Sequence, residues 1–147
     1  MIINQLIAFF ITWLAFRAGN LMRFNMSSEL PSISTVMLQL FSCCLWQEVM
    51  VYYTHRSFHH RWFYQPFHKI HHEFTAPISV TSMNSHPVEN IVSNLFPAGG
   101  AFPLLGCHIM TAYLWTTIAM ISTINDHSGL HLAFLHSSEL HDFHHKT

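Results

Sequence analysis

Charge is scarce in this chain: Asp, Glu, Lys and Arg make up only 9% of its 147 residues, against 50% that are apolar. That is thin for a surface facing water. Six Lys and Arg and a net charge of −1 leave no basic field for nucleic acid. Cysteine is sparse too. Cys43, Cys44 and Cys107 are odd in number and lie in apolar runs, which argues against a disulfide framework and predicts buried, reduced thiols. There is no Gly-rich phosphate loop and no GxSxG elbow. Internal repeats and low-complexity tracts are absent, and the length suits one domain. What the chain has instead is histidine: fourteen residues, twice its seven acidic ones.

The apolar residues fall in long runs. Ile2 to Phe16 is broken only by Asn4, Gln5 and Thr12. It is short for a bilayer span of about 20 residues. With no positive charge before it and no small-residue cleavage site after it, a short membrane helix fits better than a signal peptide. Gly19 to Pro31 turns polar and reads as a loop, so residues 1–32 form an N-terminal membrane segment and its loop. Ile33 to Tyr53 is the clearest span, since 21 helical residues rise about 31 Å. Pro31 precedes it, where proline is tolerated. Glu48, Tyr52, His55 and His59 follow at steps of four, three and four, on one helix face. Val88 to Leu105 and Cys107 to Ile124 form a second apolar block. Pro97, Gly99, Gly100 and Pro103 make one straight helix there improbable, so a hairpin turning near Leu105 to His108 is expected. An even number of crossings would return His127 to the side where His55 to His86 were left. Arg56, Arg61, Lys69 and Lys146 lie on that side against Arg17 and Arg23 in the first loop, which favours cytosolic histidines. Asn25-Met26-Ser27, in the opposite loop, is the one glycosylation acceptor.

Histidines at i, i+3 and i+4 project from one helix face. His68, His71 and His72 have that spacing, as do His141, His144 and His145, while His55/His59 and His127/His131 are i, i+4 pairs. Each unit can then aim its imidazoles at one point. Neutral imidazole suits Fe, Zn, Cu and Ni. Ten such residues exceed one metal's capacity; two six-coordinate metals would take five each, leaving roughly one open position apiece. With no Glu-x-x-His pair, a carboxylate-bridged di-iron bundle is disfavoured. Glu48, Glu89, Asp126 and Asp142 fit better as partners that accept a ring N–H, and His86 as either ligand or such a partner. His60, His108 and His136 stand alone, the usual condition of surface or satisfied core histidines. Trp62, Phe63, Tyr64, Phe67 and Phe74 are expected to pack against lipid and helix. A histidine-lined transporter would hold its ligands near the bilayer midplane, whereas these clusters lie outside the apolar runs. A metal-binding membrane protein without catalysis remains an alternative to an enzyme.

The segments YYTHRSFHH, FHKIHHEFTAP, HPVE, DHSGLH and HDFHH, in that order, resemble the fatty acid hydroxylase/sterol desaturase superfamily of membrane di-iron enzymes. HKIHHEFTAP with HPVE is similar to the sterol branch of C4-methylsterol oxidases and C5-sterol desaturases. HSGLH and HDFHH resemble the fatty acid hydroxylase domain-containing protein 2 group. The resemblance runs from about Gln47 to His145. It implies an all-α integral membrane protein, with transmembrane helical hairpins and a cytosolic histidine-rich helical cap holding a di-metal site, and assigns residues 33–147 to the hydroxylase-type domain. It also implies two iron ions, with zinc possible as purified, molecular oxygen, and electrons from NAD(P)H by way of cytochrome b5 and its reductase. The substrate would be a sterol or fatty acyl lipid, and the location the endoplasmic reticulum membrane, crossed several times with the histidines cytosolic. The implied ligands are His55, His59, His68, His71, His72, His127, His131, His141, His144 and His145. Members of the superfamily usually continue past HDFHH with a segment that closes the site; the stop at Lys146-Thr147 reads as a truncated or alternatively spliced product, or an incomplete gene model.

Overall fold

Ser32 starts the longest element. Its hydroxyl accepts from the Thr35 amide at 3.2 Å and caps α2, Ile33–Phe58, directly after Pro31. In the computed structural model, which describes residues 2–18, 24–75, 78–131, 135 and 137–146, every regular element is helical. His136, Arg23 and part of the Gly19–Pro31 loop lie outside the described residues. α2 runs past the expected end at Tyr53 because nothing from Tyr53 to Phe58 breaks a helix. Thr54 and Ser57 return their hydroxyls to the carbonyls of Met50 and Tyr53, both at 2.7 Å. Its 26 residues reach about 39 Å. Among the described residues it is the one helix long and apolar enough to cross a membrane. Ile33, Met37, Leu38, Phe41 and Leu45 are exposed along it, which suits lipid rather than water.

α1, Ile2–Arg17, is shorter, at about 24 Å. Within the second apolar block the chain is helical but never straight. Short pieces α4 (Pro87–Glu89), α5 (Phe96–Gly99) and α6 (Ala101–Leu105) are joined through a wide π turn, Asn90–Leu95. Gly100 lets this broken helix close on α2: a Cβ there would lie 2.7 Å from the Phe96 carbonyl oxygen and 3.0 Å from the Trp46 ring. Gly106 ends α6 in the left-handed region (φ 58°), with the Cys107 amide bonded back to the Phe102 carbonyl at 3.1 Å. His108 then caps α7, Ile109–Asp126, accepting from the Met110 amide and donating to the Ser27 carbonyl at 3.0 Å. It is a satisfied buried histidine.

α7 runs back along α5, where the Trp115 indole donates to the Ala98 carbonyl at 3.1 Å, and packs against the 3₁₀ turn Ser79–Met83 and against α2. Cys43, Ala101, Phe102, Cys107, Ala112, Trp115 and Ala119 form the core between these elements. It is small beside the exposed apolar exterior. Cys43 and Cys107 are buried free thiols, as expected of all three, but Cys44 is exposed on the outer side of α2. α8, Glu139–Lys146, closes the described chain.

Candidate metal centre

Four stretches bring the histidines together. α2 carries His55 in its last turns and ends with His59 at its C-cap. Past α3 (Arg61–Phe63), Pro66 has no N–H to continue an α ladder, and the Lys69 amide reaches five residues back to the Tyr64 carbonyl at 2.8 Å. The π turn Tyr64–His68 and the 3₁₀ turn His71–Glu73 follow from that break. His127 caps the end of α7, and His141, His144 and His145 line α8.

Among the described residues these side chains form two groups, each with its ligand atoms within 4.8 Å of one another: His55, His59, His68, His72 and His144, and His71, His127, His141 and His145. The units do not each aim at one point, as their spacing suggests. Both HxxHH triplets divide. The first and third histidines of one triplet join one group and its second joins the other; α8 does the same in the opposite sense. The backbone at His68–His72 is not α-helical, yet α8 is regular and its triplet divides as well: the i, i+4 pair of each triplet stays together and the histidine between them turns to the neighbouring group. The two groups abut, with the His72 and His145 rings 4.6 Å apart and the His68 and His71 rings 5.4 Å apart.

The ring nitrogens meet at coordination distances. His68 Nε2 lies 3.0 Å from His59 Nε2 and 3.1 Å from His72 Nε2, while His144 Nε2 is 2.9 Å from His55 Nε2 and 3.0 Å from His59 Nε2. In the second group His141 Nε2 is 2.9 Å from His127 Nε2 and 3.0 Å from His145 Nε2. Metal–nitrogen bonds of about 2.1 Å at right angles give edges of roughly 3.0 Å. The outer nitrogens fix the tautomers. His68 donates its Nδ1–H to Glu89 at 2.8 Å, His127 to the Thr123 carbonyl at 2.9 Å, and His71 to the Asn84 carbonyl at 3.4 Å. Each of these three rings then turns an unprotonated Nε2 inward. A neutral imidazole has a single N–H, so five converging nitrogens cannot satisfy one another by hydrogen bonding. A cation at the centre of each group accepts all the lone pairs at once, and the donor set fits a transition metal held by neutral imidazoles.

Burial favours the neutral form at seven of these rings. It pushes His72 and His141 down to about 3 and His59 and His145 to about 4, with neighbouring histidines adding to the effect. His71 and His144 are lowered for the same two reasons. His127 is lowered by burial, against the opposing pull of the Thr123 carbonyl and Asp126.

Nine of the ten ligands implied by the sequence sit in these groups. His131 does not: it is exposed, with its Nε2 3.2 Å from Glu139 and its Nδ1 3.5 Å from the Ser137 hydroxyl. Among the acidic residues Glu89 is buried on His68. Asp126 and Asp142 bear on His127 and His145 by charge, Asp142 while also holding Lys146 at 2.7 Å. Glu48 points outward on α2, away from the side that buries Cys43 and Phe58. His86 joins neither group; its Nδ1 caps α4 by accepting from the Val88 amide at 3.2 Å. His60 caps α3 in the same manner. Sequence reasoning missed Asn84, whose role runs through its main chain. Tyr64, expected to pack against lipid and helix, has its ring about 6 Å from those of His59, His68 and His72.

The family profile described as fatty acid hydroxylase matches residues 40–147. Over 117 residues the chain is 45% identical to fatty acid hydroxylase domain-containing protein 2 of Macaca fascicularis, covering 80% of this chain and 35% of that protein. It is 31% identical over 128 residues to a methylsterol monooxygenase-like protein of Dictyostelium discoideum, covering 82% and 47%. A very-long-chain aldehyde decarbonylase of Oryza sativa is 29% identical over 145 residues, 93% of this chain and 54% of the relative. The chain thus spans about a third to a half of the length of these proteins. No solved structure matches it. A profile match reaching from α2 to the end of the chain, over every histidine in both groups, makes this protein a member of the fatty acid hydroxylase family, whose named relatives are oxidoreductases.

Proposed function

We propose that this chain forms the metal-holding part of an oxygen-dependent, di-iron lipid monooxygenase of the hydroxylase or desaturase type. The observation that carries this reading is the pair of abutting histidine groups, five and four strong, with Nε2 edges of 2.9–3.3 Å. Two irons so held would supply oxygen activation and hydrogen abstraction from an unactivated C–H bond. In hydroxylation, C–H becomes C–OH with one dioxygen, two electrons and two protons, and water is released. The electrons come from NAD(P)H by way of cytochrome b5 and its reductase.

The residues themselves bind and orient. Nine neutral imidazoles hold the pair of ions, and Glu89, Asn84 and Thr123 keep three of the rings in the tautomer that offers Nε2. No side chain need act as a nucleophile. The exposed apolar faces of α1, α2 and α7 suit multiple crossings of the endoplasmic reticulum membrane, with the histidines on its cytosolic face and substrate arriving from the bilayer. The names of the relatives point to fatty acids, long-chain aldehydes and methylsterols, and the substrate class here is an apolar lipid of that kind, a C4-methylsterol or a fatty acyl chain.

The test begins with metal. The chain purified in detergent is expected to hold two iron or zinc ions; fewer than one per chain refutes the reading. The iron-loaded protein is then given 4-methylsterols or long-chain acyl lipids with cytochrome b5 and its reductase, and oxygenated product is expected. Two ions without turnover would instead identify a metal-binding protein that is not an enzyme.

A further inference from the structure

Asn4 interrupts a mostly apolar helix and is almost wholly buried, 3% exposed. An amide placed there needs partners. Its Nδ2 donates to the Ser85 carbonyl at 2.8 Å and lies 3.3 Å from the Ser85 hydroxyl and 3.4 Å from the Met83 carbonyl. These partners are some 80 residues away, on the short strap between the 3₁₀ turn Ser79–Met83 and α4. Between them sits Asn84. Its carbonyl accepts the Nδ1–H of His71, and its side-chain amide donates to the Ile70 carbonyl at 3.0 Å, next to that same histidine. α1 also packs against α4 and the π turn beyond it, and α4 carries Glu89 to His68.

We propose that Asn4 is a positioning residue for the metal centre. By fixing the Met83–Ser85 strap it holds the Asn84 carbonyl where it aims His71 into the four-histidine group. His71 is the one member of that group contributed by the region before α7. The other three come from the end of α7 and from α8, so the strap supports one of the two links between the halves of the site, the other being His144 of α8. Asn4 lies outside the residues that match the family profile. The N-terminal helix therefore acts on the chemistry rather than serving only as an anchor. Glu89 is rooted in its own helical turn, so loosening the strap acts first on His71 and the second ion.

This inference rests on the two-metal reading, and the experiment separates their failures. Metal-free protein in detergent is titrated with Co2+, whose visible absorption reports ligand number and geometry ion by ion. The wild-type chain is expected to bind two ions; binding none overturns the metal reading itself. Asn4→Leu keeps the branched four-atom side chain and removes the donor. It should leave one ion at wild-type affinity and weaken the other by roughly 10–100-fold, the usual loss when a partner behind a ligand is removed. Asn4→Gln, which keeps an amide donor, should restore part of that loss. Asn84→Ala frees the strap from Ile70 and should weaken the same ion. A purely structural role predicts a lower melting temperature with both ions weakened equally. That result, or two ions at wild-type affinity in Asn4→Leu, would overturn the proposal.

Discussion

The five-histidine group and the four-histidine group draw on the same two HxxHH motifs, yet they are built differently. The first takes four of its members from His55 to His72 and borrows only His144 from α8. The second takes three from the end of α7 and α8 and borrows only His71. Their outer supports differ as well. His68 rests on a buried carboxylate, while His71 and His127 rest on main-chain carbonyls. A carboxylate makes its imidazole a stronger donor to a cation than a carbonyl does. Crossing the motifs has a consequence for assembly: neither group is complete until α8 has docked against α2 and the His68–His72 turns. Two sites side by side with unequal ligand counts and unequal supports need not hold their ions equally well.

The comparison breaks most sharply where a ligand is removed. His68→Ala should empty the five-histidine group and leave the other filled, whereas His127→Ala should do the reverse. Each should take metal from two ions per chain to one and reduce turnover by more than about 100-fold, above the range for losing an outer partner. Metal analysis of both variants side by side checks this. If both ions left together in either variant, the groups would be one cooperative site and the division into two would fail.

A smaller effect is expected one layer out. Glu89→Ala leaves His68 free to rotate and without its acceptor. The ion of the five-histidine group should be held roughly 10–100-fold less tightly, with the second ion little changed. Glu89→Gln keeps an acceptor without the charge and should lie between. Competition with a chelator, followed over time for each variant, reads both ions. Equal loss from both groups would mean that Glu89 holds the fold rather than His68.

Much of this was readable in the residues before any coordinates. The spacing of His68, His71, His72 and of His141, His144, His145 points to clustered imidazoles, and Pro97, Gly99, Gly100 and Pro103 point to a broken helix followed by a return. The return is what puts the His127 ring 5.5 Å from that of His71. Other features had no signal in the residue pattern. The crossing of the triplets shows only once α8 and the His68–His72 turns face each other, and the π and 3₁₀ turns around Pro66 escape a pattern read at 3.6 residues per turn. Asn84 contributes a carbonyl, which every residue has. Glu48 shares a helical face with Tyr52 and His55 by count. That face borders the core without entering it: Cys43 and Phe58 mark the buried side, and Glu48 and Tyr52 are exposed. Asn4 looked like a flaw in an apolar run, and only its partners show what it holds.

The smallest effect is expected at His131, where spacing and structure part. As the second half of an HxxxH pair with His127 it was expected to be a ligand, and it would raise the four-histidine group to five. The side chain is instead 60% exposed and faces Glu139, itself 74% exposed, at 3.2 Å. Gly129, at φ 67°, turns the chain out of α7 two residues after His127, so the i, i+4 relation that would have stacked the two rings no longer holds. An exposed pair of this kind contributes about 0–1 kcal/mol to stability. His131→Ala should therefore keep both ions and hold turnover within about twofold of the parent, consistent with the small effect of most surface substitutions. Metal analysis of this variant beside His141→Ala, which should lose the second ion, gives the contrast directly. Loss of that ion from His131→Ala would show that His131 swings in as a fifth ligand when metal binds, and the two groups would then be equal in number after all.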